Sequence, residues 1–347
     1  MRDEQALALS AGESDLAYRM CRRAIWLYLV LLIFEGALRK WFLPSLATPL
    51  LLVRDPIAIY LVYKGFRHRW LDSNYVKVMV VVATVSALAT LLVGHHNLFV
   101  SLYGWRIYFF HFPVIFVMGQ VLTRDDLLRM GRFILYLSIP MTLLVVAQFY
   151  SPQTAWVNRG LGGEGGAGFQ GAMGYMRPPG TFSFISGYVL YQAVVGCFLL
   201  YYLMMNRNLE EKRQLPGWLL PVLVVCYLIS IPTSISRTHF FQTLVLLVFW
   251  SIAAFRKDNL KVYFLQALIV GLLAVFVLSL WGVADTMLEV FNARLEGASK
   301  VEGGVKGTLG DRYLGGLLGA FQNTDIPVLG YGMGLGTNAG ARLMGGN

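Results

Sequence analysis

The sequence predicts an all-α, multi-pass transmembrane helical bundle of about nine spans, with a cytoplasmic N-terminus and a large loop outside. Three observations predict it. Of 347 residues, 56% are hydrophobic and only 14% charged, whereas soluble domains carry about a quarter charged residues. The apolar residues fall into runs close to the ~20 that cross a ~30 Å hydrocarbon core. Lys and Arg collect in alternate loops, the pattern of positive loops held in the cytoplasm.

Taken in order, residues 1–23, "MRDEQALALSAGESDLAYRMCRR", are polar and end on a basic cluster. They read as a cytoplasmic segment ahead of an anchoring span, not as a cleaved signal. The transmembrane domain covers 24–283, with spans at 24–42, 46–63, 75–93, 105–123, 132–150, 182–205, 217–232, 239–255 and 262–283. The loops "YRMCRR", "KGFRHRW", "TRDDLLRMGR", "NRNLEEKRQ" and "FRKDNLK" each carry about three Lys or Arg, which places them inside. "RKWFLPS", "GHHNLFVSLYG", 151–181 and "TSISRTH" are poorer and lie outside. The Gly-rich loop 151–181, the turn between spans seven and eight, and 284–347, the start of the large outer loop, therefore share one face. Within the first spans, Glu35 and Arg39 are four apart and can pair. Arg54 and Asp55, just before Pro56, either neutralise one another or reach the outer interface. His111 in "YFFHFP" reads as a hydrogen-bonded core histidine.

Composition also excludes. The net charge of +10 is accounted for by the inside loops. No basic stripe alternates with exposed aromatics, so nucleic acid is not an expected partner. Cys21, Cys197 and Cys226 show neither metal-ligand spacing nor a disulfide framework. The two halves lack the matching Gly- or Pro-broken helices of an inverted-repeat transporter.

Three polar constellations stand out. In "LISIPTSISRTHFFQTLVLLVFW", 228–250, Pro232 ends one span and the next follows almost at once. Arg237 then lies at the outer surface, where it either anchors the turn or offers a planar fork of donors to phosphate oxygens. Ser236 and His239 flank it, although residues two apart on a helix do not share a face. In "YMRPPGTFSFISGY", 175–188, two prolines hold Arg177 extended. Thr181 and Ser183 stand where they can cap the next helix, whose N-terminus favours an anion. In "GTLGDRYLGGLLGAFQNTDIPVLGYGMGLGTNAGARL", 307–343, a short amphipathic helix is expected over 311–322, with Arg312 in its first turn and Tyr313 on its apolar face. The alternate glycines of "GYGMGLG" allow tight turns and close backbone approach to a ligand. With no preceding strand, they are not a dinucleotide loop.

These features together resemble the O-antigen ligase and polymerase superfamily, in its exopolysaccharide-polymerase-like branch. The resemblance is carried by "RPPGTFSF" leading into a span, "SR" after a Thr/Ser run, and an arginine ahead of the "PVLGYGMGLGT" run. "EGALRKWFLP" and "VRDP" near the start add to it. The resemblance implies a glycosyltransferase of the bacterial inner membrane that polymerises or ligates glycans carried on undecaprenyl diphosphate at the periplasmic face. It implies no metal and no nucleotide-sugar cofactor. Its partners would be the lipid-linked glycan, an acceptor glycan or lipid, and membrane lipids. Arg237 and Arg312 are implied to stabilise the departing diphosphate. Arg177, Thr181, Ser236, His239 and Tyr313 are assigned to substrate binding. Trp156, Tyr175, Tyr313 and Tyr331 are available for stacking on sugars. Family members carry a later loop histidine as general base and then further spans. This sequence reaches Asn347 before either, so it is expected to be a C-terminally truncated piece. Two other readings stand beside this one: a transporter or flippase of lipid-linked sugars, and a non-catalytic membrane scaffold.

Overall fold

In the computed structural model the described residues are 2–163, 169–256, 283–302 and 330–337, with single positions at 269, 315, 318, 319 and 340. Among them the chain is helical apart from turns and one isolated antiparallel bridge. Among the described residues four helices are long and apolar enough to cross a membrane: Asn74–Leu92, Leu98–Val121, Arg124–Tyr150 and Ile185–Asn208. Almost all of the expected ninth span, 262–283, lies outside the described residues. So do Arg312, Tyr313 and most of the helix expected around them.

Several helices start earlier than hydropathy places them, among them the first, Leu98–Arg106 and Arg124–Tyr150. Helix α1 runs Arg2–Ala37, because its polar N-terminal third is rich in Ala, Leu, Glu and Arg, which favour helix with or without lipid. A π-helical turn, Leu38–Phe42, continues it. The expected span 46–63 is broken up instead. Prolines open two 3-10 turns, Pro44–Leu46 and Pro49–Leu52, and the regular helix α2 is only Asp55–Arg67. Its 13 residues make about 20 Å, short of a ~30 Å core.

The chain divides into two compact units. The first comprises 1–32, 51–123 and 309–347. It holds α2, α3 (Asn74–Leu92), α4 (Leu98–Arg106) and α5 (Phe112–Val121). Asn97 caps α4, its side chain accepting from the Val100 N–H at 3.2 Å. A π-helical turn at Ile107–His111 joins α4 to α5. Pro113 has no N–H for the carbonyl four residues back, so the regular ladder slips there. The α2 and α5 helices pack closely at Gly65, where a side chain would meet Val117 and Leu71 within 3 Å.

The second unit comprises 33–50 and 124–308. Its helices are α6 (Arg124–Tyr150), α7 (Ile185–Met205), α8 (Leu219–Thr233), α9 (Arg237–Arg256) and α10 (Val283–Glu302). One face of α6 is buried at helical spacing through Leu128, Leu135, Met141, Val145 and Phe149, and it packs on α7 and α8. Ser138 and Thr142 interrupt that stripe without leaving a bare hydroxyl, since each donates back to a carbonyl of its own helix at 2.7 and 2.8 Å. The unit has two chemically different ends. At one, the charge-rich start of α6 meets the loop ahead of α8: Arg213 pairs with Asp125 at 2.8 Å, and Arg132 donates to the Lys212 carbonyl at 2.6 Å. The loops 151–184 and 234–236 lie between the other ends of the same helices.

Candidate functional site

The predicted site residues that fall within the described chain belong to the second unit, and the segment 169–184 supplies the first of them. Residues 169–177 form a small hairpin. Gly171 N–H donates to Tyr175 O at 3.0 Å, and Arg177 N–H to Phe169 O at 2.9 Å. Tyr175 N–H closes the turn on Ala172 O at 2.9 Å. Met173 and Gly174 take φ of 52° and 81°, the two left-handed positions of a type I′ turn. After Pro178 and Pro179, the chain is gripped hard. Lys40 Nζ donates to the carbonyls of Gly180 and Phe182 at 2.6 and 3.0 Å. Gln148 accepts from Gly180 N–H at 2.8 Å. Arg177 is thus held between an anchored hairpin and an anchored loop.

Arg237 is the first residue of α9, after the turn Ser234-Ile235-Ser236. Ile235 has φ of 47°, an outlier for a β-branched side chain. It is tolerated because Ile235 is buried against Phe149, Met287 and Val290, with Tyr175 and Ala172 at the margin. That cluster ties the hairpin, the turn and α10 together. On α10, Arg294 follows Met287, Val290 and Phe291 at helical spacing, and Phe291 meets Phe240 edge-on at 5.9 Å. Arg294, absent from the sequence prediction, is brought to the same place by this packing.

The electrostatics agree with the packing. The Arg177 guanidinium is held below the usual arginine range by burial, then by the charge of Arg294, then by that of Arg237. Its Nε is buried without a hydrogen-bond partner. Arg237 adds a cation to the first turn of a helix, where the macrodipole already disfavours positive charge. Three guanidinium groups so gathered favour a multiply charged anion, which relieves their mutual repulsion.

The remaining predicted residues face inward. Thr181 does not cap α7, which begins at Ile185 without a side-chain cap. Its hydroxyl donates instead to Ile33 O at 2.7 Å, and Ser183 Oγ accepts from Arg39 at 2.9 Å. The reason is the close arrival of α1. Gly36 sits so near the backbone of 181–183 that any Cβ would overlap it. Ser236 caps α9 weakly, at 3.5 Å from the His239 N–H. His239 is fully buried behind the turn. Its Nε2 donates to Ser230 Oγ at 2.9 Å, because the Ser230 hydroxyl is already spent on Tyr227 O at 2.6 Å. These residues support the arginines and do not extend their surface.

The Glu35–Arg39 pair forms as expected, at 3.3 Å and buried. Asp55 does not pair with Arg54. In the first unit it takes a bidentate contact from Arg106 at 2.7 and 2.8 Å and another from His111 Nε2 at 3.1 Å. Tyr28 donates to His111 Nδ1 at 2.8 Å, while Arg54 lies over the Tyr28 ring. His111 is a bonded core histidine.

Among the described residues no cluster of three or more His, Cys, Asp or Glu is placed to hold a metal ion. Comparison with family models, with curated proteins and with solved structures gives no match.

Proposed function

We propose that this chain is a membrane-embedded glycosyltransferase that polymerises or ligates glycans carried on undecaprenyl diphosphate. The observation that carries the reading is the gathering of Arg177, Arg237 and Arg294 over one apolar cluster. A lipid diphosphate is an anion of the charge they favour. In the reaction an acceptor hydroxyl oxygen bonds to the anomeric carbon with inversion. The bond from that carbon to the diphosphate breaks, and its electron pair leaves with the lipid diphosphate. The acceptor proton passes to water. Fixed guanidinium groups stabilise the departing charge without reorganising. Arg312 and Tyr313, to which the resemblance gives diphosphate and sugar roles, lie outside the described residues. Thr181, Ser236 and His239 act as supports for the substrate-binding arginines.

The proposed setting is a bacterial inner membrane, crossed about nine times, with the arginine site on the periplasmic face. Two features support it: the separation of charged and arginine-site loops to opposite ends of the second unit, and the rule that positive loops stay inside. The test is polymer yield in cells carrying Arg177→Ala, Arg237→Ala or Arg294→Ala. Each is expected to lower yield about 100-fold, the scale of losing one charge-stabilising donor, at unchanged protein level. Full yield from Arg237→Ala would sink the reading.

A transporter of lipid-linked sugars is the second reading. The buried Asp55–Arg106–His111 network favours it, because ionisable groups inside a membrane often mark transport paths. Its signature in the same cells is lipid-linked precursor accumulating on the cytoplasmic side.

A further inference from the structure

The glycine run "GYGMGLG" plays no part in the arginine site, and in the first unit it builds a wall of its own. Met333 is pinned through both sides of its backbone. Its N–H donates to Thr90 Oγ1 at 2.8 Å, and its carbonyl accepts from His95 Nε2 at 3.0 Å. Asn97 fixes that tautomer, its N–H donating to His95 Nδ1 at 3.0 Å. The flanking glycines are required, with φ of 113° at Gly332 and 91° at Gly334. A Cβ on Gly332 would lie 2.7 Å from His95 and 2.8 Å from Thr90, and one on Gly104 would lie 2.6 Å from the Gly334 nitrogen. Bare backbone meets bare backbone, so the loop is preformed.

Beneath it, bounded by α3 and the π-helical turn, is a cavity of about 490 Å³. Ser86, Thr90, Tyr108, Tyr331 and Thr337 line it together with Val82, Ala83, Ile107 and the glycine backbone, and among the described residues no acidic or basic side chain does. The size suits a small ligand. The Thr90 and Thr337 hydroxyls are engaged with backbone groups, so the uncharged surface offered by Ser86, the phenol rings and the peptide groups is what matches a sugar ring, which has hydroxyls at its rim and C–H groups on its faces. A phosphate there would meet no counter-charge among the described residues.

We propose that this cavity is a subsite for one uncharged sugar residue of the glycan. The inference rests on the proposed function, since it takes the glycan as ligand, but its residues are none of those in the arginine site.

The experiment places a thiol in the cavity by Ser86→Cys in the otherwise native, detergent-purified chain. Alkylation is read residue by residue by mass spectrometry, with Cys21, Cys197 and Cys226 as internal controls. Glucose, galactose and N-acetylglucosamine are the probes, with inorganic pyrophosphate and phosphatidylglycerol alongside. At least one sugar should slow alkylation at 86 saturably, about twofold when its concentration equals Kd, while pyrophosphate has no effect. Thr337→Cys, on the opposite wall, should respond to the same sugar. The proposal is overturned if both thiols ignore every sugar, if phosphatidylglycerol protects as well as any sugar, or if neither thiol reacts at all. Polymer assays keep the two ideas apart. Loss of polymer in Arg237→Ala with no sugar protection sinks the subsite alone, and sugar protection with full polymer in Arg237→Ala sinks the glycosyltransferase reading alone.

Discussion

At the scale of single residues, several buried charges of the described helices are held by partners. Asp55 is the clearest case, since its carboxylate takes up both Arg106 and His111. Removing one member of a buried pair leaves the other charge uncompensated, which costs about 3–5 kcal/mol, whereas removing both costs far less. Asp55→Asn is therefore expected to lower the Tm of the purified protein sharply, and Asp55→Asn with Arg106→Met to recover much of the loss. Equal Tm values for the single and double variants would refute the pairing. The arginine site shows what was legible at this scale. Arg177 and Arg237 were marked by their surroundings in sequence, prolines for one and a polar break between apolar runs for the other. Nothing local marks Arg294. Its place follows from Val290 and Met287 packing on Ile235, a contact made across 50 residues of chain. Equally, no local pattern reveals that His239 turns inward, because that depends on Ser230 and Tyr227 being there to receive it.

At the scale of elements, the apolar runs were legible and their edges were not. Hydropathy reports where lipid can lie, but helix continues wherever propensity and capping allow. That is why α6 starts at Arg124 and α4 at Leu98, inside segments that read as loops, and why prolines shorten α2. The contact that most depends on fine geometry is α1 against 181–183. It admits no side chain at Gly36, while Gly119 on α5 faces open space. The two glycines should then respond with opposite sign. Gly119→Ala gains helix propensity, up to about 1 kcal/mol. Gly36→Ala gains the same but forces backbone apart, so it should lower Tm and open 169–184 to limited proteolysis. Equal responses would show that α1 does not seat against that loop.

At the scale of the whole molecule, the governing feature is the division of loops by charge. In the second unit the first turn of α6 and the loop 206–215 meet through Asp125 and Arg213, and the chain between α6 and α7 joins their other ends. The positive-inside rule turns this division into a direction. Thr154→Cys should react with a membrane-impermeant maleimide in intact cells, and Lys212→Cys only after permeabilisation. Both positions are exposed. Labelling of both from the same side would overturn the proposed orientation and, with it, the proposed periplasmic placement of the arginines.

The grip of Lys40 on the loop ahead of α7 carries a consequence for how this chain tolerates change. Its hydrogen-bond acceptors are the main-chain carbonyls of Gly180 and Phe182, which every amino acid possesses. A conventional ion pair can be broken from either side, by substituting the acid or the base. Here replacement of the side chain at 182 leaves that acceptor in place, whereas Gly180, at φ of 59° and with Met141 Sδ 2.7 Å from any added Cβ, holds its carbonyl only as glycine. Robustness is thereby concentrated at 182, and fragility in Lys40 and Gly180.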